Sequence, residues 1–260
     1  MKTFLLPLIL SVVAGCATVP GPIGPAPATE SPPYEAWSAV LSEFVDERGQ
    51  VDFHGLAANR ADLDRFVSWI YTRSPESDPA LFHDRGAALA FHLNAYNALS
   101  MYNVIESGFP HTLDGFAKVR FFYLARLQVG RRPLSLYDYE NKVIRLMGEP
   151  RVHFALNCMS VGCPVLPRVP FRAETVETDL QRETVKFMND ERHVRVDEAA
   201  RTVWLSEIFS FFPEDFLAQL PSLPAYVNRY RTIKVPEDYV VRFIPYDWTV
   251  NAQPATPRKR

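Results

Sequence analysis

Apolar positions recur at helical spacing through the first part of the chain. Trp37, Val40, Leu41, Phe44 and Val45 share one face of a segment spanning 34–47, with Ser31 and Pro32 as start signals. Leu63, Phe66, Val67, Ile70 and Tyr71 repeat the arrangement. The run RGAALAFHLNAYNALSMYNVIES is apolar almost all the way round, the pattern of a helix buried on several sides, and predicts a central helix. After Gly115 the period changes. FFYLARLQVG reads as a strand running into a turn, and LSLYDYENKVIRLMG as a helix opened by Ser135 and Asp138 and stopped at Gly148. Residues 152–157 read as a short strand, 173–190 as a helix, and HVRVD with TVWLS as a hairpin. SFFPEDFLAQL and LPAYVNRY are helical pieces broken at Pro213 and Pro221, and YVVRFI is a closing strand before PYDWTVN. Helices and strands do not alternate regularly and no repeat is present. The expected fold is therefore a single α+β domain with a buried central helix and a modest, largely antiparallel sheet.

Composition narrows the partners. With 28 basic against 30 acidic residues in 260, and 47% hydrophobic residues, the chain reads as an ordinary globular protein with no nucleic-acid partner. Its first residues, MKTFLLPLILSVVAGC, join a basic start to a short apolar run and small residues before a cysteine, which is a secretory signal over 1–15. The ending VAGC resembles a bacterial lipobox, so lipidation is expected at Cys16, with the membrane as partner through that lipid. Ala17 follows it in place of Asp, which favours the periplasmic face of the outer membrane. Residues 16–33, rich in Pro and Gly, are expected to be an extended tether that lifts the domain roughly 50 Å off the bilayer. The folded domain is expected over 34–251, with 252–260 as a tail.

The candidate chemistry lies in RVHFALNCMSVGCP, residues 151–164. If 152–157 is a strand, Val152, Phe154 and Leu156 face one way and His153, Ala155 and Asn157 the other. Cys158 then stands where small, flexible residues present backbone amides, a setting that activates a nucleophile. An oxidising compartment favours a disulfide between Cys158 and Cys163, and that pairing is the expectation, with a reactive Cys158 thiol as the alternative. No metal site is expected, since the Cys-x4-Cys spacing lacks a second ligand pair and only His153 is near, and no cofactor is expected. Inert buried thiols complete the possibilities.

Asn94 and Asn97 lie three residues apart in the otherwise apolar central helix, where a buried amide needs partners. A structural network to the loop at 158–163 is expected rather than substrate binding. His92 reads as a partly buried polar residue, Glu140 as an ion-pair partner and Asp247 as a turn residue. The run Lys118, Arg120, Arg126, Arg131, Arg132 reads as a solvated hairpin, with anionic lipid or glycan as the alternative ligand.

The blocks AFHLNAYNAL, SLYDYENKVIR, HFALNCMSVGCPVL, LSEIFSFFPEDF and IPYDWTVN resemble, in order, those of the domain of unknown function 547 family, over residues 34–251. Asn94, Tyr96 and Asn97 match its Asn-x-Tyr-Asn motif, Glu140 an acidic position, and Asn157, Cys158, Ser160, Cys163 and Pro164 its thiol block. Asn141 stands where the family often has a histidine. The resemblance implies no assigned activity. The pocket residues expected are Asn94, Asn97, Glu140, His153 and Cys158. Two functions remain open: a non-catalytic binding or structural protein of the cell envelope, with a small molecule or envelope polymer as ligand, or a thiol-dependent hydrolase or transferase using Cys158.

Overall fold

In the computed structural model, which describes residues 17–23, 26–218 and 220–254, the chain folds around the helix Arg85–Glu106. Asp84 caps its start by accepting from the Ala87 N–H at 2.7 Å. Every residue from Leu89 to Ile105 is buried, as an all-round apolar pattern requires. The helices Tyr34–Phe44 and Ala61–Thr72 pack against each other and against this core, with Trp37 stacked on Phe66 at 5.6 Å. A second cluster, built from Phe154, Phe187, Phe209, Phe216 and Tyr226, forms the C-terminal half of the core.

Two three-stranded sheets lie beside these helices, and each is mixed. In the first, β1 (Ala17–Thr18) runs parallel to β2 (Ala125–Val129), which pairs antiparallel with β3 (Arg132–Leu134). In the second, β4 (Val194–Asp197) and β5 (Thr202–Ser206) make the expected hairpin. There β6 (Val240–Ile244) adds parallel to β5, Thr202 opposite Val240 through Ser206 opposite Ile244. The α+β class and the central helix stand, and each sheet gains one parallel strand that arrives from far along the chain.

Three local expectations change. Residues 152–157 are not a strand: Pro150–Phe154 is a turn of 3-10 helix, capped by the Glu149 carboxylate accepting from the Arg151 N–H at 3.1 Å. Proline at the first helical position and an acidic cap outweigh the apolar alternation. Val152, His153 and Phe154 are all buried, so they do not separate into two strand faces. Val119–Leu124 is π-helical before β2 begins, and Glu140–Ile144 interrupts the helix that starts at Leu136 in the same way. Finally, the basic run does not share one hairpin. Arg126 pairs with Asp138 at 2.8 Å, Arg131 reaches Asp78 at 3.5 Å, and Lys118 lies over the Trp248 ring.

The expected tether also lies against the domain where it is described. Val19 is buried, its N–H donates to Arg126 O at 2.8 Å, the Tyr102 hydroxyl donates to Pro20 O at 2.9 Å, and Trp69 Nε1 and Arg73 donate to Thr29 O. Short apolar residues between prolines suffice for this, because an extended segment can add to an open sheet edge without a period of its own. At the other end, Gln253 Nε2 donates to Phe44 O and Gln50 O, so the packed chain continues past 251. Removing residues 17–31 should therefore lower the melting temperature by about 5–10 °C, the equivalent of about 2–3 kcal/mol from one buried Val and the lost pairing. Thermal denaturation of the full and shortened chains checks this, and equal melting temperatures would mean that the segment contributes no packing.

Candidate active site

The loop after the 3-10 turn is held from three sides. The Asn157 N–H donates to Asn97 Oδ1 at 2.7 Å, Asn157 Nδ2 donates to Pro164 O at 2.7 Å, and the Met159 N–H donates to Asn157 Oδ1 at 2.7 Å. Met159 takes a left-handed conformation, φ 69°, which costs on the order of 1–3 kcal/mol for a residue with a side chain. Asn251 N–H donates to Met159 O at 2.8 Å, and the segment 247–251 runs alongside 159–162 through further backbone bonds. Gly162 permits this approach: a Cβ there would lie 2.9 Å from the Asp247 nitrogen and 3.0 Å from the Tyr246 ring. Strain at the residue after Cys158 and the lack of a side chain at Gly162 together bring Tyr246 over the two thiols.

Cys158 and Cys163 are free thiols with their sulfurs 3.0 Å apart, so the expected disulfide is not formed, since that bond needs about 2.05 Å. The loop instead arranges the sulfurs as hydrogen-bond partners. Cys158 Sγ lies 3.3 Å from Ser160 Oγ and 3.4 Å from the Tyr246 hydroxyl, and Cys163 Sγ accepts from the Cys158 N–H at 3.1 Å. The Tyr246 hydroxyl also reaches Cys163 Sγ at 3.0 Å. The Cys163 thiol bonding to Cys158 draws the Cys158 pKa down to about 6 against the burial that opposes it, with Ser160 and Tyr246 adding to the effect. Burial and the neighbouring sulfur push Cys163 the other way, well above the ordinary thiol range. The two shifts are opposed, so the thiolate form is favoured at Cys158 and the protonated form at Cys163.

Cys158 lines a cleft of about 430 Å³ together with Tyr96, Glu140, His153, Phe212, Tyr246 and Trp248. Glu140 accepts from the Tyr96 hydroxyl at 3.1 Å, and burial raises its pKa above the usual carboxylate value although His153 opposes this. His153 presents Nδ1 to Glu140 at 3.8 Å and bonds through Nε2 to Asp215 at 2.7 Å. Its ring stacks on Phe212 at 4.2 Å. Arg145 clamps Asp215 from the far side with contacts of 2.7 and 2.9 Å. Burial alone would raise Asp215, and the bonds from His153 and Arg145 outweigh it and hold the carboxyl well below the usual range. Asp215, His153 and Glu140 therefore form a row leading into the cleft. Both π-helical stretches face it, one supplying Phe122 and Tyr123 and the other Glu140 and Asn141, a use of wide helical turns common at functional sites.

Of the expected pocket residues, Glu140, His153 and Cys158 meet in this cleft and Asn94 and Asn97 do not. Asn97 supports the thiol loop from behind, donating to Ala155 O at 3.1 Å and accepting from Asn157. Asn94 serves another junction: it accepts from Trp37 Nε1 at 3.1 Å and from the Phe171 N–H at 3.0 Å, and donates to Phe171 O at 2.8 Å. His92 pairs with Tyr139 and Glu76, and Asp247 caps its own turn through the Thr249 N–H. The expected row of amides around Cys158 is largely committed elsewhere, because Met159, Val161, Gly162 and Cys163 donate to other acceptors. The Ser160 backbone N–H does turn toward the sulfurs. His153 is not a hydrogen-bond partner of Cys158: it addresses Glu140 and Asp215, since the 3-10 turn aims it away from the thiol loop.

Tyr246, Asp215, Arg145 and Lys118 reach the site without having been singled out for it. For Tyr246 and Asp215 the available signal was their place inside the blocks IPYDWTVN and LSEIFSFFPEDF. Among the described residues no group of three or more His, Cys, Asp or Glu side chains is placed to hold a metal ion, and no helix is long and apolar enough to cross a membrane. Cys16 lies outside the described residues.

No curated protein and no solved structure matches this chain. Residues 82–188, which hold the first three of the five resembling blocks and both cleft thiols, match the model of the family described as protein of unknown function, DUF547.

Proposed function

We propose that the protein is a lipid-anchored thiol hydrolase or transferase of the bacterial periplasm, with Cys158 as its nucleophile. The observation that carries this is a free Cys158 lining a cleft, bonded to a second thiol, a tyrosine and a serine that favour its thiolate. The thiolate adds to the carbonyl carbon of an acyl donor and a sulfur–carbon bond forms. As the bond to the leaving group breaks, Glu140, whose acid form burial favours, gives that group its proton. The Glu140 carboxylate then takes a proton from water or an acceptor alcohol or amine, which attacks the thioester and releases the thiolate. The Asp215 and His153 row fixes the polar environment of Glu140 through these changes. The test is stoichiometric acetylation by p-nitrophenyl acetate. Acetyl found on Cys158, and lost in Cys158→Ser, supports the reading, and acetyl on Cys163 alone or on neither thiol overturns it.

The anchor is the second part of the proposal. Ala17, the residue after Cys16, pairs with Ala125, directly after the stretch that supplies Phe122 and Tyr123 to the cleft. An acyl group on Cys16 would hold this side of the domain at the outer membrane instead of far from it. Cys16→Ala should move the protein from the membrane to the soluble periplasmic fraction and abolish fatty-acid labelling. Label that persists on the variant would show attachment elsewhere.

A further inference from the structure

We propose that the substrate of this cleft carries a carboxylate that binds Lys118 while its acyl carbon faces Cys158. This rests on the acyl-transfer reading of the same cleft and adds a substrate class to it. Lys118 lines the cleft, its ammonium 3.8 Å from the centroid of the Trp248 ring and 5.9 Å from that of Phe211. Cation–π contact of this kind fixes an ammonium without neutralising it. Among the described residues no carboxylate forms a salt bridge with Lys118, and no further interaction of its side chain is present beyond the two rings. The other cation of the cleft, Arg145, is already committed to Asp215 and Glu214. Among the described residues that line the cleft, Lys118 is thus the cation left for a ligand.

The path between the two groups sets the shape of that ligand. The Tyr246 hydroxyl is 3.4 Å from Cys158 Sγ, its ring is 4.4 Å from the Trp248 ring, and Trp248 carries Lys118. The thiol and the ammonium therefore stand two aromatic rings apart along one wall. A molecule whose attacked carbonyl and distal carboxylate are joined by a short apolar or flat segment satisfies both ends, with that segment against Tyr246 and Trp248. Anions without such a segment would meet Lys118 alone.

The experiment is calorimetric titration of the intact protein with 3-phenylpropionate and, separately, its neutral amide 3-phenylpropionamide, with binding as the readout so that no thiol chemistry is required. The carboxylate should bind at least tenfold more tightly than the amide. Lys118→Gln should bring the carboxylate to the affinity of the amide, while Lys186→Gln, remote from the cleft, should leave both unchanged. Equal affinities in the unmodified protein, no binding of the carboxylate at millimolar concentration, or equal losses in the two lysine variants would each overturn the proposal. Because Cys158 acetylation is read in a separate assay, failure of the carboxylate preference and failure of the nucleophile are told apart.

Discussion

At pH 6 the unmodified protein should be acetylated on Cys158 by p-nitrophenyl acetate about ten times faster than the Cys163→Ala variant, and the Cys158→Ser variant should show no thiol acetylation at all. The argument runs through the thiolate fraction. A thiol with a pKa of about 6 is half ionised at that pH, whereas an ordinary thiol, near 8.5, is ionised to only about 0.3%. A more basic thiolate is intrinsically the better nucleophile, by about tenfold over this range, which returns part of the loss. The net is a gap of about tenfold at pH 6 that closes to about twofold near pH 7. Removing Cys163 takes away the bond that contributes most to the lowered Cys158 pKa, so the rate–pH midpoint moves up. Cys163→Ser retains a donor and should shift it less. The pH profile of the acetylation rate for the three proteins is the measurement, and superimposed profiles would show that Cys163 does not tune Cys158.

Asn94→Ala should destabilise the fold severely for a single polar substitution, lowering stability by roughly 3–6 kcal/mol and the melting temperature by more than about 10 °C. The side chain sits in the middle of the buried helix and serves three groups from two distant segments, Trp37 Nε1 and both backbone polar groups of Phe171. Alanine leaves all three without the partner that Asn94 gave them in an apolar interior, at about 1–2 kcal/mol each. Trp37→Phe should cost less, because Asn94 keeps both bonds to Phe171. Chemical denaturation of the two variants checks the order. A loss under about 1 kcal/mol for Asn94→Ala would mean that water replaces the amide. Since Asn94 lies outside the cleft, Cys158 acetylation should survive in the variant below its melting temperature.

The parts of this protein that the sequence determined are those governed by local period and by burial. An apolar pattern with no polar face leaves Arg85–Glu106 no alternative to the interior, and a two-residue alternation flanking 198–201 leaves β4 and β5 no alternative to a hairpin. It also pointed to Cys158, His153, Glu140, Asn94 and Asn97 as pocket residues, and of these the first three line the cleft while the two buried amides hold backbone behind it. Tertiary structure decided the rest. Whether Cys158 and Cys163 bond or only touch depends on the left-handed turn at Met159 and on Tyr246 arriving from 83 residues away, and neither is a property of the segment itself. Residues 152–157 are ambiguous as a short apolar run, and the Glu149 cap with Pro150 tips them into a turn that sends His153 to Asp215. Lys118 is one charge among several until Trp248 comes beneath it, and residues 17–23 are a featureless linker until β2 offers an edge. Period and burial act over a few residues, whereas the partners of a thiol or an ammonium are chosen by the folding of segments that sequence proximity does not connect.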